Sequence, residues 1–161
     1  MVAATLFDGT GLLDGVSDEP TDAGSLQDAV VEDRLWVAVP DDDPPVGFAL
    51  ARWCGVDAHL QELDVVPAWG RRGIGRRLVA EVVAWAAAHD RARVTLTTFT
   101  SVPWNAPFYQ RLGFVVVPEP AWTCALHATW EHEREMGLSM EKRVVMERRL
   151  VTPRTPPQVR G

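Results

Sequence analysis

Cysteine is scarce: only Cys54 and Cys124 occur in 161 residues. They form no CxxC pair and share no spacing with histidine, so neither a zinc site nor a disulfide framework is expected, and both thiols read as reduced and part-buried. No stretch approaches the ~18 consecutive apolar residues of a membrane span. The amino terminus, Met1-Val2-Ala3-Ala4-Thr5, has neither the basic region nor the apolar run of a secretory signal. A cytoplasmic protein with no membrane partner is therefore expected. Basic residues are the minority charge, 16 Lys and Arg against 22 Asp and Glu, for a net charge of -6. That balance argues against nucleic acid as a partner and weakly favours a cationic, amine-bearing one. There is no internal repeat.

The chain is one domain's worth of sequence, with 47% hydrophobic and 24% charged residues, enough to bury a core. A single domain over residues 1–151 is expected, followed by a flexible tail over 152–161 that carries three prolines. Residues 1–7 read as the end of a short helix and 8–24 as a loop rich in Gly, Asp and Pro. A short helix over 25–31 would be capped by Ser25. Strands over 34–39 and 46–53, separated by Asp41-Asp42-Asp43-Pro44-Pro45, read as a hairpin. A third strand covers 58–66 and is ended by Pro67. Residues 73–89 give the strongest helix, with Ile74, Leu78, Val82 and Trp85 at helical spacing. A β-branched strand follows over 93–99. Asn105 is placed to cap a short helix through Leu112, which Gly113 stops. A strand over 114–117, a helix over 121–136 striped with Trp122, Leu126 and Trp130, and a strand over 143–148 complete the order. The result is a mixed α/β domain on a central sheet. Trp36, Trp53, Trp104, Trp122 and Trp130 are core candidates, some able to line a pocket, as is Phe108. The acidic run from Asp8 to Asp22 reads as a solvated loop.

The segment from Val65 to Arg76 carries the first chemical signal. A strand ends at Pro67, and Gly73 and Gly75 open the long helix. Glycine lets a ligand approach the backbone, and the first-turn amides of a helix lack internal partners. Such an end attracts phosphate, and Arg71, Arg72, Arg76 and Arg77 add positive charge. A P-loop is excluded because Arg76-Arg77 stands where Lys-Ser/Thr is required. A dinucleotide fingerprint is excluded because Leu78 occupies the third glycine position. By itself this loop supports an anion site and nothing narrower.

Gly70-Arg71-Arg72-Gly73-Ile74-Gly75 resembles the acetyl-CoA signature of the GNAT superfamily, Gln/Arg-x-x-Gly-x-Gly/Ala, with Gly70 standing where the family prefers Gln or Arg. A second stretch, Trp104-Asn105-Ala106-Pro107-Phe108-Tyr109-Gln110-Arg111-Leu112-Gly113-Phe114, is similar to the family's next motif, a short helix with a tyrosine just before Leu-Gly-Phe. The resemblance covers roughly residues 26–150. It implies a central, mostly antiparallel sheet containing one splayed parallel strand pair. The family usually begins with a strand and a longer first helix, and that first strand is expected to be missing here.

The resemblance also implies a co-substrate, acetyl-CoA, and an activity, acetyl transfer to a primary amine on a small molecule or peptide. The pantetheine arm would lie between the strands ending at Val66 and Phe99, paired with the backbone of Leu63, Asp64 and Val65. The pyrophosphate would rest on Arg71, Arg72, Gly73, Ile74, Gly75 and Arg76. Tyr109 matches the family's general acid, and a phenol is protonated at neutral pH. For the base, His59 and Glu62 are both candidates, and solvent is a third. Strand parity puts His59 and Glu62 on opposite faces unless the strand bulges. Asn105 serves either as a helix cap or as a cofactor contact. A non-catalytic acyl-CoA-binding module is the alternative reading, and a homodimer is allowed.

Overall fold

The computed structural model describes residues 23–40 and 44–151; the expected helix end over 1–7, the expected loop over 8–24 as far as residue 22, the first three residues of the expected turn over 41–45, and the tail over 152–161 lie outside these. Helix α1 spans Ala23–Val31, so Ser25 lies inside the helix instead of capping it. Then come β1 (Leu35–Ala38), β2 (Gly47–Cys54), β3 (Asp57–Val65), α2 (Ile74–Ala88), β4 (Arg93–Phe99), α3 (Ala106–Arg111), β5 (Val115–Val116), α4 (Cys124–Glu135) and β6 (Arg143–Arg149). The six strands form one sheet in the order β1-β2-β3-β4-β6-β5. Every pairing is antiparallel except that of β3 with β4.

Two expected elements are shorter than their hydrophobic patterns suggested. Of 114–117 only Val115 and Val116 join the sheet, opposite Glu147 and Met146. The helix expected from residue 121 begins at Cys124, because residues 119–121 form a separate 3-10 turn and Thr123 is the cap, its hydroxyl accepting from the Leu126 amide at 3.3 Å.

Helix α2 lies on one face of the sheet. Its buried stripe of Ile74, Leu78, Val79, Val82, Trp85 and Ala86 meets Ala49, Ala51, Ala58, Leu60, Val94 and Leu96 in the main core. Trp85 stacks on Trp53 with ring centroids 4.2 Å apart and meets Trp36 edge-on at 5.8 Å, which ties the helix to β1 and β2. Each such side chain contributes about 2 kcal/mol by leaving water. The helix stops where the His89 ring nitrogen meets the Trp85 carbonyl at 2.8 Å and Asp90 takes a left-handed backbone with φ of 55°.

Helix α4 covers part of the opposite face, and its contacts are more polar. Leu126 packs with Cys54, Val117 and Val145. Arg52 donates to the Thr129 hydroxyl at 2.6 Å, and Thr97 donates to Glu133. Cys54 is buried and Cys124 exposed, both as free thiols. Trp104 is 43% exposed and is not a core residue.

Candidate active site

The loop between β3 and α2 is shaped for close approach. A 3-10 turn over Pro67–Trp69 bonds the Gly70 amide to Pro67 O at 3.0 Å. Arg71 and Gly73 both have positive φ, 58° and 80°. At Gly73 a Cβ would meet nothing within 4 Å, so glycine is needed there for conformation and not for room. The first bond of α2 runs from Arg77 N to Gly73 O at 3.0 Å. The amides of Ile74, Gly75 and Arg76 precede it and have no partner within the helix. The Arg72 guanidinium lies over the Trp69 ring at 4.6 Å. Beside this end, Arg76, Arg111 and Arg148 line an open cavity of about 620 Å³ with Phe108, Leu112 and Gly113. Sequence reading missed Arg111 and Arg148: Arg111 lies within the Tyr109 motif but carries no role there, Arg148 lies in no motif, and only the fold carries β6 and the end of α3 to the start of α2.

Strands β3 and β4 pair only at Ala58 with Val94 and at His59 with Thr95. Beyond that point they part. The gap is a cleft of about 230 Å³ lined by residues 60–63 of β3, residues 96–99 of β4, and Asn105, Tyr109 and Arg143. Past His59 the register pairing of β3 with β4 stops among the described residues, and a parting of that kind leaves room for an extended ligand between two strands.

A bulge decides which side chains enter the cleft. Leu50 pairs with Glu62 but Ala51 pairs with Leu60, so Gln61 is an extra residue in β3. Opposed residues project to one face. Glu62 therefore shares a face with Leu50, and His59, opposite Arg52, shares that same face. The bulge thus brings the two base candidates to one side, the α4 side, where Arg52 meets Thr129. Glu62 lines the cleft and His59 does not. His59 is 2% exposed, with Nδ1 2.9 Å from Thr95 Oγ1. Burial, then the charges of Arg52 and Arg143, push its pKa down to about 3, so the ring is neutral at physiological pH.

Tyr109 comes from α3 and is buried among Phe108 and Phe114, yet it reaches the cleft wall. Burial raises its pKa, which keeps the phenol protonated. Asn105 is the residue before α3 but makes no capping hydrogen bond with its side chain, and it too lines the cleft. Leu63 faces the cleft beside Glu62. Asp64 and Val65 continue β3 towards the loop, opposite Phe48 and Gly47. Arg143 and Thr97 are cleft residues that sequence reading missed. Both sit inside plain strand patterns, so nothing in their spacing marks them.

The profile of the acetyltransferase (GNAT) family matches residues 10–114, and the chain belongs to that family. Over 91 residues it is 32% identical to the peptidyl-lysine N-acetyltransferase YjaB of Salmonella typhimurium, a match covering 56% of this chain and 57% of that enzyme. In fold it is similar to the N-acetylglutamate synthase of Neisseria gonorrhoeae, solved with coenzyme A and N-acetyl-glutamate, at 16% identity and a TM-score of 0.67 over 92% of this chain and 31% of that one. It is likewise similar to Chaetomium thermophilum Naa20, solved with a bisubstrate analogue, at 19% identity and a TM-score of 0.62 over 89% of this chain and 83% of that one. The six-stranded sheet with its one parallel pair is the arrangement these neighbours share.

Proposed function

We propose that this protein transfers acetyl from acetyl-CoA to a primary amine on a small molecule or peptide. The observation that carries the reading is the cleft itself. Where β3 and β4 part, it gathers a protonated phenol and a carboxylate between two diverging strands, one short loop away from an anion-attracting helix start.

Acetyl-CoA, when bound, supplies an activated acyl thioester; transfer forms the amide C–N bond, breaks the C–S bond and releases the CoA thiol. The amides and side chains over Arg71, Arg72, Gly73, Ile74, Gly75 and Arg76 hold the pyrophosphate. Arg76, Arg111 and Arg148 receive the 3′-phosphate of the adenosine end. The open edge of β3 at Leu63, Asp64 and Val65 pairs with the pantetheine amides, and Asn105 offers its side-chain amide from the other wall. Tyr109 gives its proton to the departing sulfur. Glu62 takes the proton that the amine loses, since it lines the cleft on the side away from α2. His59 is neutral and bonded to Thr95 beneath the point of divergence. Its part is to hold the two strands together where they separate.

The relatives act on or were solved with different acceptors, so the acceptor is not carried over from them. The test is calorimetry with acetyl-CoA followed by thiol release over a panel of amines. Binding with turnover supports the reading. Binding without turnover on any amine leaves a non-catalytic acyl-CoA-binding module, and absence of binding removes both.

A further inference from the structure

Two charged residues flank the cleft on the face away from α2. Glu62 stands on β3. Across the gap, Arg143 begins β6, opposite Phe99 of β4. Thr97 and Phe99 share a face, and Thr97 meets Glu133 of α4, so Arg143 and Glu62 open to the same side. The phosphate-attracting loop and α2 belong to the other face. A co-substrate threaded from that loop leaves the Glu62–Arg143 side for the acceptor.

The guanidinium of Arg143 is held on three sides. Its Nε lies 3.1 Å and its Nη2 3.0 Å from Glu133 Oε2. Nη2 also donates to Thr97 Oγ1 at 3.0 Å, and the plane lies over the Phe99 ring at 4.6 Å. Nη1 makes no hydrogen bond among the described residues, and the side chain forms part of the cleft wall while only 8% exposed. An arginine whose plane is locked and whose remaining edge faces a cleft is prepared for a planar anion. Ordering it costs nothing further on binding. Burial already disfavours its charge, so an added carboxylate gains more here than at an open surface.

We propose that the acceptor is a primary amine bearing a carboxylate near its nitrogen, and that Arg143 binds that carboxylate while Glu62 faces the amine. This assignment rests on the acetyltransferase reading and narrows its substrate class. Glu133, Thr97 and Phe99 act through Arg143, as positioning residues. The neighbouring Arg52, which donates to the Thr129 hydroxyl and to Trp53 O, adds positive charge to the same face.

The test uses thiol release from acetyl-CoA with matched acceptors: free L-amino acids, their carboxamides, and a blocked peptide whose one primary amine is an internal lysine. The carboxamide amine has the lower pKa and is the readier nucleophile at neutral pH, so preference for the acid reports recognition and not reactivity. The expected result is a kcat/KM at least tenfold higher for the acid of the best pair. In Arg143→Gln that ratio falls to near one, chiefly through the KM of the acid. Because Arg143→Gln leaves the Glu133 carboxylate without its cationic partner, the double variant Arg143→Gln/Glu133→Gln guards against a folding defect and should show the same collapse. Equal use of acid and carboxamide by the parent, preference for the peptide lysine, or an unchanged ratio in both variants would overturn the assignment and leave the acetyltransferase reading intact. Binding of acetyl-CoA with no thiol release from any of these acceptors or from other amines would remove the acetyltransferase reading, and this assignment with it.

Discussion

His59 Nδ1 lies 2.9 Å from Thr95 Oγ1 at the last register pair before β3 and β4 separate. The Thr95 hydroxyl gives its own proton to Ala58 O at 3.2 Å, so its oxygen accepts from His59, which fixes the Nδ1–H tautomer of a neutral ring. This one contact marks where the sheet stops being continuous and the cleft begins.

That contact predicts a pH dependence. The native ring titrates at about 3 and the unfolded one near 6.5. Between those values the unfolded chain binds the extra proton, so stability is full above about pH 6.5 and is lost as pH falls towards 3. By pH 5 the loss is about 2 kcal/mol, at 1.36 kcal/mol per unit. Urea unfolding at pH 7.5 and 5.0 measures it. His59→Gln should abolish most of this difference, whatever its effect on stability at pH 7.5; an equal difference in parent and variant would refute the neutral buried ring.

Tyr109→Phe should lower kcat by about a hundredfold, the lower end of what a positioned acid supplies, with little change in the KM for acetyl-CoA. The buried ring keeps its contacts with Phe108 and Phe114, so thermal stability should hold. Steady-state kinetics with the best amine decide the matter, and a kcat within threefold of the parent would remove the phenol from the acid role.

At Gly73 the backbone alone is at stake. Gly73→Ala should cost about 1 kcal/mol, the penalty of a Cβ in the left-handed region, because a Cβ there meets nothing within 4 Å. If the chain relaxes to a negative φ, the first-turn amides of α2 turn away, and calorimetry should show acetyl-CoA binding weakened about tenfold.

The cavity lined by Arg76, Arg111 and Arg148 predicts discrimination between acetyl-CoA and its 3′-dephospho form. Arg148→Ala should raise the KM for acetyl-CoA about tenfold, the order of one lost charge-assisted hydrogen bond, and leave the KM for the dephospho form nearly unchanged. A parent enzyme that uses both forms equally would place the 3′-phosphate elsewhere.

At the closed end of the β3–β4 pair, outside the cleft lining, Arg93 holds Asp57 at 2.9 Å and also pairs with Glu147. These carboxylates are 4% and 7% exposed. Hydrogen bonds from Arg149 and Arg93 outweigh the burial that would raise the Glu147 pKa, and hold it below its usual value. Arg93→Met should therefore destabilise by about 3 kcal/mol, since it strands buried charge, lowering Tm by roughly 10 °C. Acetyl transfer per folded molecule at 20 °C should be unchanged. Calorimetric melting and an active-site-normalised rate test both halves.

The elements and the glycine-bearing loop before α2 were legible in the sequence because each rests on local rules: helical spacing from Ile74 to Trp85, β-branching over 93–99, and glycine where φ is positive at Gly73. The short helix that carries Tyr109 was legible as well, through Leu112-Gly113-Phe114 at its end. Which of His59 and Glu62 lines the cleft was not legible. Parity separates the two residues, and only the extra residue at Gln61, set by pairing with β2, returns them to one face and sends one into the cleft and the other beneath it. The surroundings of Arg143, Arg111 and Arg148 were not legible for a related reason: each occupies an ordinary strand or helix end, and its neighbours come from segments distant in the chain. The sequence by itself determined the family, the glycine-opened helix α2 and the short helix that carries Tyr109, since those depend on neighbours a few residues away. Only the tertiary structure decided which charged side chains line the cleft, because burial and pairing between β3, β4, β6 and α4 are long-range.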